Sequence, residues 1–329
     1  MIWLTWRQHR KQAFYTLLAL AALAALLVPI GLAMRHTFAE LGLVDCARQL
    51  SDTNVAAATR DACDAGFRRF GNQYSGLNLV AVLLITLPVL VGLFWGAPLV
   101  AREVEHGTHR FVWTQGVGRT RWALVKFGLV GGAVVVLAAI YGLGMSWWVD
   151  PLTKATYEGR LGMIVFDLQG IVPIGYTLFA VALGVFAGTM WKRMLPAMGI
   201  TLAGFIGVRA AVEILARPHY QPARTQTFPI EGEGPPEVSR GDWILTQGVR
   251  NPDGTMIAED TRIQCPPGGK GPDGRVCGSE LGLEPGAYNW QLYQPADRFW
   301  LFQGIETGIF VALAVLLLYL AVRRVRRIA

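Results

Sequence analysis

Charged residues are scarce in this chain. Asp, Glu, Lys and Arg make up 16% of its 329 residues, and 53% are hydrophobic. An ordinary soluble protein is about 25% charged, so the shortage excludes that class. Cysteine is also rare. Cys46, Cys63, Cys265 and Cys277 all fall outside the apolar runs, with no histidine close to any of them. Wide spacings and missing histidines argue against zinc. Two local pairs, Cys46 with Cys63 and Cys265 with Cys277, in an oxidising compartment are the simple reading, and four free thiols are the alternative. There is no internal repeat and no nucleotide-binding motif. Residues 265–271 read Cys-Pro-Pro-Gly-Gly-Lys-Gly, whereas a phosphate loop needs Gly-Lys followed by Ser or Thr at the start of a helix.

Long apolar runs are what the chain does have. A hydrocarbon core of ~30 Å needs roughly 20 apolar residues per helix. Residues 13–34, 77–100, 123–149, 171–190, 194–215 and 302–322 each meet that length. The expected fold is an all-α polytopic membrane protein with six transmembrane helices. Arg7, Arg10 and Lys11 before the first run mimic a signal peptide, but the run exceeds the usual 7–15 apolar residues, so no cleavage is expected. The opening Met-Ile-Trp-Leu-Thr-Trp predicts a short N-terminal interfacial helix, with Trp3 and Trp6 at headgroup level.

Charge sets the orientation. The N-terminal flank, residues 101–126, the 191–193 turn and the C-terminal arginines together hold 14 Lys/Arg and two acids, Glu103 and Glu105. The opposite loops hold 15 Lys/Arg and 19 acids over a much longer sequence. The positive-inside rule predicts both termini in the cytoplasm, as an even number of spans requires. The net charge of +7 is therefore a topology signal and gives no reason to expect a nucleic-acid partner.

The outer loops differ in character. Residues 35–76 are polar with helical periodicity around 44–70. Residues 216–300 are Pro- and Gly-rich with short strand-like pieces at 242–247 and 288–293. They predict a small extracytoplasmic subdomain between helices 5 and 6, stapled by Cys265–Cys277. The expected division is 1–215 for the interfacial helix and helices 1–5, 216–300 for the subdomain, and 301–329 for helix 6 and a basic tail.

Few ionisable groups lie inside the runs. Arg209 and Glu213 share a face of the fifth helix, and Glu306 lies at similar depth in the sixth. Such groups usually face the bundle interior or a watery cavity. A polar lining or outer gate and a structural ion pair with Arg209 snorkelling outward are the two readings. Gly128-x-x-x-Gly132 has the spacing of a close-packing motif. His106 and His109 flank Gly107-Thr108 near two acids, but Gly107 breaks the helical spacing that would converge them, so no metal is expected.

The loop 101–122 is the most specified segment. It reads Arg102-Glu103-x-Glu105-x-Gly107-Thr108, then Thr-Gln-Gly-Val-x-Arg119, with Lys126 opening the next helix. Residues 108–115 are expected to form a short surface helix carrying Phe111 and Trp113 inward. This pattern resembles the loop between the second and third helices of type-2 ABC exporter permeases. The N-terminal sequence resembles actinobacterial members of that family. The resemblance implies a permease in the bacterial plasma membrane, exporting an unidentified substrate. It also implies a coupling loop (Arg102, Glu103, Glu105, Gly107, Thr108, Trp113, Arg119) that docks on separate ABC ATPase subunits. ATP and Mg would be bound by those subunits, with no cofactor on this chain. A second permease, identical or a sister subunit, would complete the path. Two rivals are a sensor or mechanotransmission subunit, in which the outer domain binds a ligand, and a membrane-embedded enzyme, for which only Arg209, Glu213 and Glu306 are available.

Overall fold

A computed structural model describes residues 2–50, 57–107, 118–155, 159–191, 193–231, 241–265 and 277–327. Nine helices are used below: α1 (Ile2–Glu40), α2 (Leu43–Gln49), α3 (Ala57–Gln73), α4 (Leu77–Glu105), α5 (Arg119–Ala155), α6 (Met163–Leu168), α7 (Val172–Met190), α8 (Met194–His219) and α9 (Phe299–Arg327). Six of them, α1, α4, α5, α7, α8 and α9, are long and apolar enough to cross a membrane, and they coincide with the six runs in the sequence.

The first helix corrects one expectation. The N-terminal segment does not form a separate interfacial helix, because α1 runs unbroken from Ile2 to Glu40. Neither glycine nor proline occurs before Pro29, so nothing stops the helix propagating through the basic flank. The side chains of Trp3 and Trp6 lie outside the described set. At the other end of the bundle, α8 continues past Leu215 to His219 and takes Arg217 into the helix.

Most of α7 is buried, with α4, α5, α8 and α9 packed around it and α1 packed on α5. Glycines let its backbone approach α4. A Cβ on Gly92 would lie 2.6 Å from the Ala180 carbonyl oxygen, and one on Gly184 would lie 2.6 Å from the Ala97 nitrogen. Gly96 and Gly188 make equivalent approaches. The close-packing pairs are therefore Gly92-x-x-x-Gly96 and Gly184-x-x-x-Gly188. Gly128 and Gly132 have nothing of this chain within 4 Å of where a Cβ would stand, so that motif closes no contact here.

At Pro88, Pro98 and Pro151 inside the spans an N–H donor is missing, and a neighbouring helix supplies the bond. Pro88 leaves the Leu84 carbonyl without its usual donor, and the Tyr141 hydroxyl donates to it at 3.0 Å. Gln12 Nε2 donates to the Phe94 carbonyl, four residues before Pro98, at 3.2 Å. Arg35 Nη2 donates to the Trp147 carbonyl, four before Pro151, at 2.5 Å. Freed backbone carbonyls are costly in hydrocarbon, so each side chain also ties two helices together.

Four strands form an antiparallel sheet: β1 (Arg224–Pro229), β2 (Trp243–Arg250), β3 (Met256–Glu259) and β4 (Tyr288–Gln294), in the order β1-β4-β2-β3. β4 contains the strand-like piece at 288–293, and β2 takes in the piece at 242–247 except for its first residue, Asp242. The turn between β2 and β3 is fixed by Thr255, whose N–H and hydroxyl donate to the Asp253 carboxylate at 2.8 and 2.6 Å. Those bonds hold the Asp253 carboxyl below the usual carboxylate range. Ile230, Val249, Leu283 and Ala287 form a small core with the Cys265–Cys277 disulfide. The second disulfide, Cys46–Cys63, joins α2 to α3, so both local pairs form.

The sheet is continuous with the bundle. β1 follows α8 within five residues and β4 leads directly into α9. The two strands pair from Arg224 with Tyr293 to Pro229 with Tyr288. Gln294 Nε2 donates to the Pro218 and Gln221 carbonyls at 3.1 and 2.8 Å. The tops of α8 and α9 are thereby held together.

Candidate functional site

At the end of the bundle below the sheet, charged side chains from three helices and a tyrosine from a fourth meet in a buried cluster. Asp167 comes from α6, Tyr176 from α7, Arg209, Glu213 and Arg217 from α8, and Glu306 from α9. Arg217 is the centre. Its Nη2 donates to Asp167 Oδ1 at 2.6 Å, to Glu306 Oε1 at 2.7 Å and to the Tyr176 hydroxyl at 3.1 Å, and its Nε donates to Glu306 Oε2 at 2.9 Å. The Tyr176 hydroxyl, with one proton to donate, lies within hydrogen-bonding reach of both Asp167 and Glu306. Tyr220, just past α8, donates to Glu306 Oε2 at 3.1 Å.

Local structure aims these groups. Arg209, Glu213 and Arg217 recur every four residues, which drifts slowly around an α-helix. The turn Val212–Ala216 is a π-helical turn, and its wider i→i+5 geometry keeps the three on one face. Asp167 is placed by Gln303, one turn before Glu306. Gln303 Oε1 accepts from the N–H groups of Ile171 and Val172 at 2.9 and 3.0 Å, and its Nε2 donates to the Phe166 carbonyl at 2.9 Å. One fully buried amide thus caps the start of α7 and holds the end of α6 against α9.

Burial grades the cluster. The side chains of Asp167, Arg217 and Glu306 are at most 2% exposed, against 19% for Arg209 and 15% for Glu213. Arg209 bonds Asp167 and lies over the Tyr176 ring. Glu213 sits 4.0 Å from Arg209 and 3.8 Å from Arg217. The expected trio of Arg209, Glu213 and Glu306 therefore does lie in one cluster, but its centre is different. Glu306 pairs with Arg217, and Arg209 pairs with Asp167. Asp167 and Arg217 escaped sequence reasoning because both fall just beyond the apolar runs. The four-residue repeat Arg209, Glu213, Arg217 was the signal available for the second.

The basic end of the bundle holds the stem of the loop 101–122. Glu103 on α4 accepts from Lys126 Nζ on α5 at 2.5 Å, with Lys126 only 4% exposed and lying over the Trp122 ring at 5.1 Å. Glu105 Oε2 accepts from the Met194 N–H at 3.0 Å and so caps the start of α8. Arg119 Nη1 donates to the Arg326 carbonyl at the end of α9, at 3.4 Å. Gly107 takes φ +69° just after α4 ends, a left-handed backbone that favours glycine. Arg102 is exposed. Thr108 and Trp113, Phe111 and His109, and the expected surface helix at 108–115, lie outside the described residues. His106 Nδ1 is 2.9 Å from the Arg102 carbonyl oxygen.

No curated protein and no solved structure matches the chain. A family model described as ABC-2 membrane transporter related matches residues 17–217, from the first span to Arg217 at the centre of the cluster. That stretch covers more than half of the chain and takes in five of the six apolar helices, including both stems of the loop. The protein is a multi-pass membrane protein, and it belongs to the ABC-2 membrane transporter related family.

Proposed function

We propose that this chain is the permease subunit of an ATP-driven ABC exporter, with both termini in the cytoplasm and the sheet outside. ATP and Mg are bound by separate ATPase subunits, whose closure moves the loop 101–122. A second membrane chain, identical or a sister subunit, completes the translocation path. The family match supports a transport membrane subunit.

One observation carries the coupling. The loop stem, tied across its own two sides by Glu103 and Lys126, bonds α8 through Met194 and α9 through Arg326. Both helices are rods of roughly 30–35 Å at 1.5 Å per residue. α8 runs from Met194 to Arg209, Glu213 and Arg217, and α9 runs back from Arg326 to Glu306. A push on the stem at one end is therefore delivered to the charged cluster at the other, where the cluster acts as the outer gate. Glu103 and Glu105 serve as stem fasteners in this reading, and the partner is met by the loop residues beyond them.

The continuity of the sheet with α8 and α9 favours a second reading, in which a ligand on the outer subdomain signals along the same two helices to the ATPase. A membrane-embedded enzyme is not favoured by the cluster, whose arginines and carboxylates are largely spent on one another. The test is co-purification in mild detergent with the ATPases of the source organism. Wild type is expected to recover one ATPase, and Trp113→Ala to lose it while eluting as the same monodisperse species. Equal recovery from the two, or none from wild type, would overturn the coupling role.

A further inference from the structure

Beside the loop stem, α1, α4 and the turn into α8 enclose a cavity of about 710 Å³, within the size range of small-molecule sites. The Gln12–Phe94 bond braces one wall, and the Glu105–Met194 bond braces another. The lining divides by chemistry. Arg102, His106 and Arg193 supply basic groups, and Phe94, Pro98 and Leu195 supply apolar surface. Arg102 and Arg193 are exposed. Glu105 is the single acid of the lining among the described residues, and it is engaged by the Met194 N–H.

Phe94 is 57% and Leu195 76% exposed, yet both belong to membrane-crossing helices. Phe94, eight residues back along α4 from Arg102, lies about 12 Å deeper in the span, at a depth a soluble ATPase does not reach, while Leu195 sits beside Arg193 at the start of α8. The cationic half lies at the end of the bundle that carries the excess of basic residues, which is headgroup level. An apolar floor leading to two exposed guanidiniums matches an amphiphile with a negative head. A free phosphate would leave the apolar half unused.

We propose that this cavity binds one anionic phospholipid, its phosphate held between Arg102 and Arg193 and its upper acyl chains against Phe94, Pro98 and Leu195. Basic pockets between spans suit such headgroups, and guanidiniums hold phosphate oxygens in a bidentate fork. Because Arg102 and Glu105 belong to the loop stem, an occupied cavity braces that stem against α1 and α8. The site stands whether or not the coupling role does, since its test needs no ATPase.

The full-length chain, stripped of lipid in detergent, is titrated by native mass spectrometry with phosphatidylglycerol, with phosphatidylcholine of the same chains, and with inorganic phosphate. One phosphatidylglycerol is expected to bind well ahead of phosphatidylcholine, without competition from phosphate. Arg102→Gln with Arg193→Gln is expected to weaken it roughly thirtyfold, from two basic contacts at an anionic headgroup. Leu195→Trp, which fills the apolar half and keeps every charge, is expected to block it as well. Arg324→Gln, at the same end but outside the cavity, leaves it unchanged. Equal affinity for the two lipids, or full affinity in the double variant, overturns the proposal. Displacement by phosphate assigns the arginines to a soluble anion and overturns it too.

Discussion

Replacing Arg217 by glutamine tests the charged cluster at its centre. Arg217 makes two hydrogen bonds to Glu306, one to Asp167 and one to Tyr176, all between groups with almost no solvent contact. Removing one partner of a buried ion pair typically costs about 3–5 kcal/mol, because the other charge stays buried without compensation. The same reasoning grades the neighbours. Arg209→Gln removes a bond to Asp167, which still keeps Arg217, and is expected to cost about 1.5–3 kcal/mol, the range for a hydrogen bond to a charged group. Glu213→Gln loses two ion pairs at 3.8 and 4.0 Å and is expected to cost at most ~1 kcal/mol. Thermal unfolding in detergent, followed by tryptophan fluorescence, reads the order. Arg217→Gln should fall by about 4–7 °C, with Arg209→Gln intermediate and Glu213→Gln close to wild type. The double change Arg217→Met with Glu306→Leu should recover much of the loss, since a well-packed apolar pair can replace a buried ionic one. An Arg217→Gln protein that melts within about 2 °C of wild type would refute the assignment of Arg217 as the centre.

Two further outcomes follow from the packing. Gly184→Val should abolish a monodisperse elution peak, because its side chain would start 2.6 Å from the α4 backbone, whereas Gly128→Val, with open space around it, should elute as wild type. Cys46→Ala with Cys63→Ala opens a crosslink between residues 17 apart and should cost about 3 kcal/mol. Hydrogen exchange should show that loss confined to α2 and α3, with the six long helices still protected.

The six membrane helices were legible because length and apolarity alone decide them, and both disulfides because each pair is local in sequence. The stem residues were legible as a motif, but their partners were not. Nothing in the spacing of Glu105 says that it caps a helix beginning at Met194. Small-residue spacing was ambiguous for a related reason. Gly92/Gly96, Gly128/Gly132 and Gly184/Gly188 look alike in sequence, and only the approach of another backbone separates them. Asp167 and Arg217 were missed because a hydropathy boundary cuts each from the span it serves. The chain continues as helix to His219, and a short helix brings Asp167 back to meet it. The unbroken α1 shows the opposite error, a boundary read from composition where no residue stops the helix.

The account turns on this chain working as the membrane half of an ATP-driven assembly. The most direct test is the mass of the intact complex isolated from its native membrane in mild detergent. Two membrane chains, at least one of them this one, with two ATPase subunits released together are the predicted result. A chain that leaves the membrane alone, or with partners that bind no ATP, would contradict it.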